Sequence, residues 1–236
     1  MSWGPFAGGG SGWGAYSNIL LYPAYDGYGS LNLTQQSPVQ TFVEPLTNAE
    51  MYSYLKIPAR SPVDPEEDDY ITSMISASRE QAEILQNRDL VRKQWDLTYD
   101  YWMSYRVQLR APLVSVDLAQ YMDSTGAITV MTEGPNGDYI VDASKQPGSI
   151  YPPYSKTWPT FTPWPTSALL IRFTSGYSNA DPFWNDSGAR IKTGMKLLIS
   201  AWYNNRMPFE KGAAATQEYP YAVTSCLSYG SLVRAR

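Results

Sequence analysis

Chemistry needs groups that titrate, ligate or attack, and this chain is poor in them. It has no histidine and a single cysteine, Cys226. The commonest general base and the commonest metal ligand are therefore absent. Ser/His/Asp and Cys/His arrangements are impossible, which leaves carboxylates and lysines. The densest acidic group is Asp64 followed by Glu66, Glu67, Asp68 and Asp69. Those residue types could ligate a metal, but Asp64-Pro65 reads as a helix N-cap with proline at the first helical position. Acids in that first turn are favoured by the helix macrodipole, so the cluster reads as a solvated cap. Paired carboxylates could also act as they do in glycosidases. No spacing of Asp and Glu here supports that beyond chance. The sequence points away from an enzyme and implies no cofactor and no metal.

What remains is recognition by aromatic surface. The 236 residues include 8 Trp, 19 Tyr and 6 Phe. Aromatic side chains give large contact area at low entropic cost and are enriched at protein interfaces. The run WPTFTPWP at 158–165 could present rings to a sugar, as in a carbohydrate- or surface-binding β module. The competing reading packs this loop on the chain itself or on a partner protein.

Net charge is −4, and the 18 basic residues are scattered without a run. A protein that grips nucleic acid through phosphates usually carries a basic patch, so the sequence points away from tight DNA binding but not from passage of DNA alongside the protein. A lone cysteine cannot close an internal disulfide, which fits synthesis in a reducing compartment. No run of about 18 apolar residues is present to span a membrane. The N-terminus lacks the basic-then-apolar pattern of a secretory signal.

The elements that position these residues follow from periodicity. Residues 1–40 are Gly- and aromatic-rich and carry no charge before Asp26. With no periodic apolar face such a segment cannot fold alone. Trp3, Phe6, Trp13 and Tyr16 make it read as an arm that docks on a neighbour. Thr47 and Glu50 form a capping-box pattern ahead of a short helix at 48–56. A long helix over 64–87 places Ile71, Met74, Ile75, Ser78, Ala82 and Leu85 at helical spacing. From Val91 the period changes to two. Trp95, Leu97, Tyr99 and Tyr101 alternate with polar residues as in a half-buried strand, and Val107 and Leu109 carry the β pattern on to Pro112. Residues 113–121 read as a strand, and 123–127 as a hairpin turn into Ile128, Val130 and Met131. A second turn at 134–137 leads to Tyr139, Ile140 and Val141. Residues 146–165 read as loop with at most short strands, and 168–173 as a strong strand closed by Ser175-Gly176-Tyr177. A last helix over 187–206 carries Ile191, Met195, Leu198, Trp202 and Tyr203 on a wide apolar band. That width predicts packing against the first long helix and against another subunit. The tail beyond it looks too irregular to be a core element and apolar enough to want a partner.

The expected fold class is α+β: a small helical core of two main helices and a short one, with a β-rich insertion and extended N- and C-terminal arms. Its segments are 1–40 (arm), 41–90 (helical core), 91–185 (β insertion), 186–207 (helical core) and 208–236 (C-terminal arm).

With these elements in order, the chain resembles the head-to-tail adaptor (head completion, connector) proteins of tailed bacteriophages and gene transfer agents. The resemblance covers about residues 41–230. It rests on the helix ending ASREQAEILQNRDL, the strand QWDLTYDYW, the segment LRAPLVSV and the strand YIVD. The strand IRFTSGY, the helix with LLISAWYNNR and the late YPYAVTSCL complete it. The chain has Asp186-Ser187-Gly188 where the family often starts its last helix with proline, and Ala201 where it commonly has histidine. The resemblance implies a structural virion protein of the capsid–tail neck, assembled in the host cytoplasm. It implies a homo-oligomeric ring, typically of twelve copies, beneath the portal protein, extending the DNA channel and docking tail or stopper and nozzle proteins. Packaged DNA would pass without specific binding, and no membrane is involved. In such proteins the C-terminal segment commonly reaches the portal. Leu227, Tyr229, Leu232 and Val233 are then the expected apolar anchors, with Arg234 and Arg236 meeting acidic groups or helix C-termini.

Overall fold

Asp64 caps the long helix as its position dictates: its carboxylate accepts from the Glu66 amide at 3.1 Å. The computed structural model that shows this describes residues 32–35, 43–58, 64–102, 105–204 and 221–232. Helix α1 spans Asn48–Leu55 and α2 spans Pro65–Gln86. The capping box of α1 is complete, with the Thr47 hydroxyl accepting from the Glu50 amide and the Glu50 carboxylate accepting from the Thr47 amide. A 3-10 turn, Pro182–Asn185, leads into α3, Ser187–Asn204. A fourth helix, α4, covers Tyr221–Leu227.

These helices share one apolar core. Ile71, Met74, Ile75 and Ala82 of α2 face Ile191, Met195, Leu198 and Ile199 of α3, with Met51 of α1 and Val223 and Leu227 of α4 closing the cluster. Tertiary burial of this kind, rather than helix propensity, holds helices as short as α1 and α4.

The β region builds two antiparallel sheets. Strands β1 (Asn32–Gln35), β2 (Lys93–Tyr99), β4 (Leu113–Met122), β5 (Ile128–Val130) and β8 (Leu169–Ser175) form one in the order β1-β2-β8-β4-β5. Strands β3 (Val107–Gln108), β6 (Ile140–Asp142) and β7 (Ser149–Tyr151) form the other in the order β3-β7-β6. Strand β8 is central, and Leu169, Ile171, Phe173 and Ser175 are buried at period two. The two sheets enclose a second core that includes Trp95, Leu97, Leu109, Ile150, Ile171 and Phe173. Gly176 ends β8 at φ +104, and a Cβ there would lie 2.0 Å from the Val91 carbonyl oxygen. The chain therefore turns there only with glycine.

The architecture is α+β, as the pattern predicts. Three details differ. Part of the N-terminal segment, 32–35, is a strand that pairs with β2 of the same chain. The β pattern after Tyr101 shortens to the two residues of β3. The C-terminal tail contributes α4 to the helical core rather than remaining outside it. Among the described residues no helix is long and apolar enough to cross a membrane.

Candidate functional site

The acidic first turn of α2 is built into the fold. Glu67 accepts from the Tyr203 hydroxyl at 2.8 Å, tying the start of α2 to the end of α3. Asp68 accepts from the Asn48 amide at 2.6 Å and the Tyr52 hydroxyl at 3.3 Å, tying α2 to α1. The cluster is thus only partly the solvated cap that its sequence suggests. Among the described residues no group of three or more Cys, Asp or Glu side chains could hold a metal ion.

The densest electrostatics lie where α2 passes into β2. Asp89 is 0% exposed. Its carboxylate accepts from Arg110 at 2.6, 2.9 and 3.1 Å, from the Trp95 indole at 2.9 Å and from the Ser175 hydroxyl. One carboxylate thereby joins the α2–β2 loop, β2, the β3–β4 loop and the end of β8. Glu83 of α2 accepts from Lys93 at 2.6 Å, Arg79 at 3.0 Å and the Leu90 amide at 2.9 Å. Burial pushes the Glu83 carboxyl above the usual range, with Lys93 and Arg79 opposing that shift and Asp89 adding to it. Arg79 also donates to Glu44 at 2.9 Å. Both oxygens of Asp89 and of Glu83 are occupied by protein donors. The geometry is that of a brace between helices and sheet, with no oxygen turned toward a substrate.

The C-terminal segment is held by the far end of α2. The Gln86 side-chain amide donates to the carbonyls of Leu227 and, at 3.0 Å, Tyr229. Arg88 donates to the Gly230 carbonyl and, at 3.2 Å, to the Tyr177 hydroxyl. The Leu232 amide donates to the Gln86 carbonyl at 3.0 Å. These bonds satisfy carbonyls that the ends of α2 and α4 would otherwise leave open. Arg190 lies 3.8 Å from the centre of the Tyr229 ring.

This arrangement reassigns several expected contact residues. Leu227 is 1% exposed against α3, so it anchors its own chain and has no surface left for a portal. Ile191, Met195 and Leu198 are equally enclosed by the chain's own core, which removes them from a subunit interface. The apolar band of α3 is wide because α2 and α4 both pack on it. Trp202 and Tyr203 are half-buried at its end. Tyr229 is exposed and Leu232 half-buried. Val233, Arg234 and Arg236, and Trp3, Phe6, Trp13 and Tyr16 of the N-terminal arm, lie outside the described residues.

The aromatic run at 158–165 is mostly committed. Trp158 is buried and stacks on Trp102 with ring centres 4.1 Å apart. Phe161 stacks on Tyr121 at 4.4 Å. A sugar platform needs open ring faces, and of the run's rings only Trp164 is exposed. Burial likewise pushes the Tyr99 hydroxyl up to about 12.

No protein-family model and no curated protein sequence matches the chain. Solved structures do. A chain of the neck of an empty GTA particle computed with C6 symmetry aligns with a TM-score of 0.61 at 19% identity, covering 87% of this chain and 97% of that one. A chain of the virion of a native gene transfer agent particle aligns with a TM-score of 0.61 at 18% identity, covering 86% and 97%. A chain of the neck of a native GTA particle computed with C12 symmetry aligns at 0.50 and 18% identity, covering 84% and 98%. The chain therefore shares its fold, over most of its length, with chains of gene transfer agent necks and virions.

Proposed function

We propose that the chain is a structural protein of the neck of a tailed phage or phage-like particle. In this reading it is a head-to-tail adaptor, and its copies form a ring beneath the portal. One observation carries this: the fold matches neck chains over 97–98% of their length, including necks computed with C6 and C12 symmetry. Heterologous contacts between copies close into such a ring. The engaged carboxylates favour the same reading, because the best-ordered polar groups stiffen the subunit rather than face a substrate. Many equivalent weak contacts to a portal then multiply into avidity. The scattered basic residues suit a channel through which DNA slides without being gripped.

The test is the mass of the purified protein, alone and mixed with portal. A ring, or a complex with portal, is the expected result. A monomer indifferent to portal overturns the reading. Truncation from Ala222 would strip Val223 and Leu227 from the core, so the informative deletion begins at Val233. Removing residues 233–236 is expected to weaken portal binding while leaving the fold intact.

A further inference from the structure

The five-stranded sheet has two edges of different origin. One is β1, supplied by the N-terminal segment, and the other is β5. At β5 the Asp123 amide donates to Ala127 at 3.0 Å and the Met131 amide to Ala119 at 2.8 Å. With the register Tyr121↔Thr129, this alternation turns the backbone N–H and C=O of Ile128 and Val130 away from β4. Among the described residues no strand pairs with that side. The side chains are open as well, Ile128 at 59% and Val130 at 57% exposure. Trp164 flanks the same hairpin, its ring 3.8 Å from where a Gly126 Cβ would sit, and it too is exposed. Residues 124–132 contain no charge. The edge carries none of the charges or prolines that keep strands from pairing with other chains, and its three-residue length is its one such device.

We infer that the β5 edge receives the N-terminal segment, residues 1–31, of a second copy of this chain, added as a further strand. Three observations select this occupant. The arm docks by strand addition where it is described, since 32–35 pairs antiparallel with β2. Its first 25 residues carry no charged side chain and include Trp3, Phe6, Trp13 and Tyr16, which suits an uncharged apolar edge and not a charged partner. Its point of departure is the opposite edge of the same sheet, and 31 extended residues span about 100 Å. The arm of one copy can therefore reach the β5 edge of the next, and repetition in one direction around a ring leaves every copy both giving and receiving a strand.

The inference rests on the chain assembling with copies of itself. The experiment places a benzoylphenylalanine photocrosslinker at Val130 in the full chain, mixing light and heavy-isotope copies before assembly. Mass is measured on the same sample, and crosslinked peptides are mapped after cleavage at aromatic residues, because the first basic residue is Lys56. The expected result is a link from position 130 into residues 1–31, with about half of the pairs joining light to heavy. Deleting residues 1–31 should abolish it. A ring whose links are all same-isotope (the copy's own arm), or lead elsewhere, or are missing, overturns this inference and leaves the ring reading standing. A monomer overturns both.

Discussion

The guanidinium of Arg110 meets the carboxylate of Asp89 fork on fork, with Nη2 2.6 Å from Oδ1 and Nε 2.9 Å from Oδ2. Both side chains are buried, and the Arg110 guanidinium also lies 4.6 Å from the Trp95 ring centre. Desolvating two charges is costly, so the pair is weak evidence for net stability. Breaking it is another matter, because the partner left behind is buried and uncompensated.

Arg110→Ala should therefore destabilise the protein by about 3–5 kcal/mol. Arg110→Met combined with Asp89→Asn should cost less than the two singles together, since the double variant leaves no unpaired charge. Urea unfolding of the parent, Arg110→Ala, the two singles Arg110→Met and Asp89→Asn, and their double variant measures both. Additive losses would show that the two residues act independently.

Gly194 sets how closely α4 approaches α3. A Cβ there would lie 2.6 Å from Leu227 Cδ2 and 3.0 Å from Cys226 Cβ. Alanine gains up to about 1 kcal/mol of helix propensity over glycine, whereas overpacking costs about 1–3 kcal/mol. The overlap should win. Gly194→Ala is expected to destabilise, to speed amide exchange across Tyr221–Leu227 and to expose the Cys226 thiol to reagent. Adding Leu227→Ala removes the overlapping atoms, so the double variant should lose less than the sum.

The helices and the central strand were legible because each carries its own period. Residues 71, 74, 75, 78 and 82 mark one face of α2, and 169, 171 and 173 alternate along β8. The role of α4 was not legible, since a seven-residue helix shows its apolar side only as Val223 and Leu227. Those two residues resemble any apolar tail until the gap at Gly194 is seen. For the same reason the wide band on α3 pointed to another subunit when its second partner was the chain's own C-terminus. Asp89 and Arg110 stand 21 residues apart in loops, and nothing local marks them as a pair. Arg110 inside the apolar run LRAPL was the one available signal, because a cation among buried residues needs a partner.

Asp123 holds the hairpin that presents β5. Its carboxylate accepts from the Thr125 hydroxyl at 2.5 Å, the Thr125 amide at 2.8 Å and the Ala127 amide at 3.1 Å. The Thr125 hydroxyl bond, followed by the backbone bonds, holds this carboxyl below the ordinary 3.8. A carboxyl lowered by folding contributes stability that is fully present above its unfolded value and is lost as pH falls through its folded value. Carboxyl carbon NMR should find Asp123 titrating below 3.8, and Thr125→Val should move it back up. No upward movement would mean that the backbone amides alone set the shift.

Trp158 and Trp164 belong to one sequence motif and should behave as opposites. Trp158 is buried against Trp102 with the rings 6° from parallel, so Trp158→Ala leaves a cavity and an orphaned stacking partner. Its expected cost is about 3–5 kcal/mol. Trp164 rests its ring near Gly126 but is 38% exposed, so Trp164→Ala removes less buried surface and should cost clearly less than Trp158→Ala. Thermal unfolding separates the two. Because a sugar platform needs open ring faces and Trp158 is buried against Trp102, no oligosaccharide binding by the parent protein is the companion expectation. Binding by the parent that disappears with Trp164 would move the function of this loop from packing to recognition.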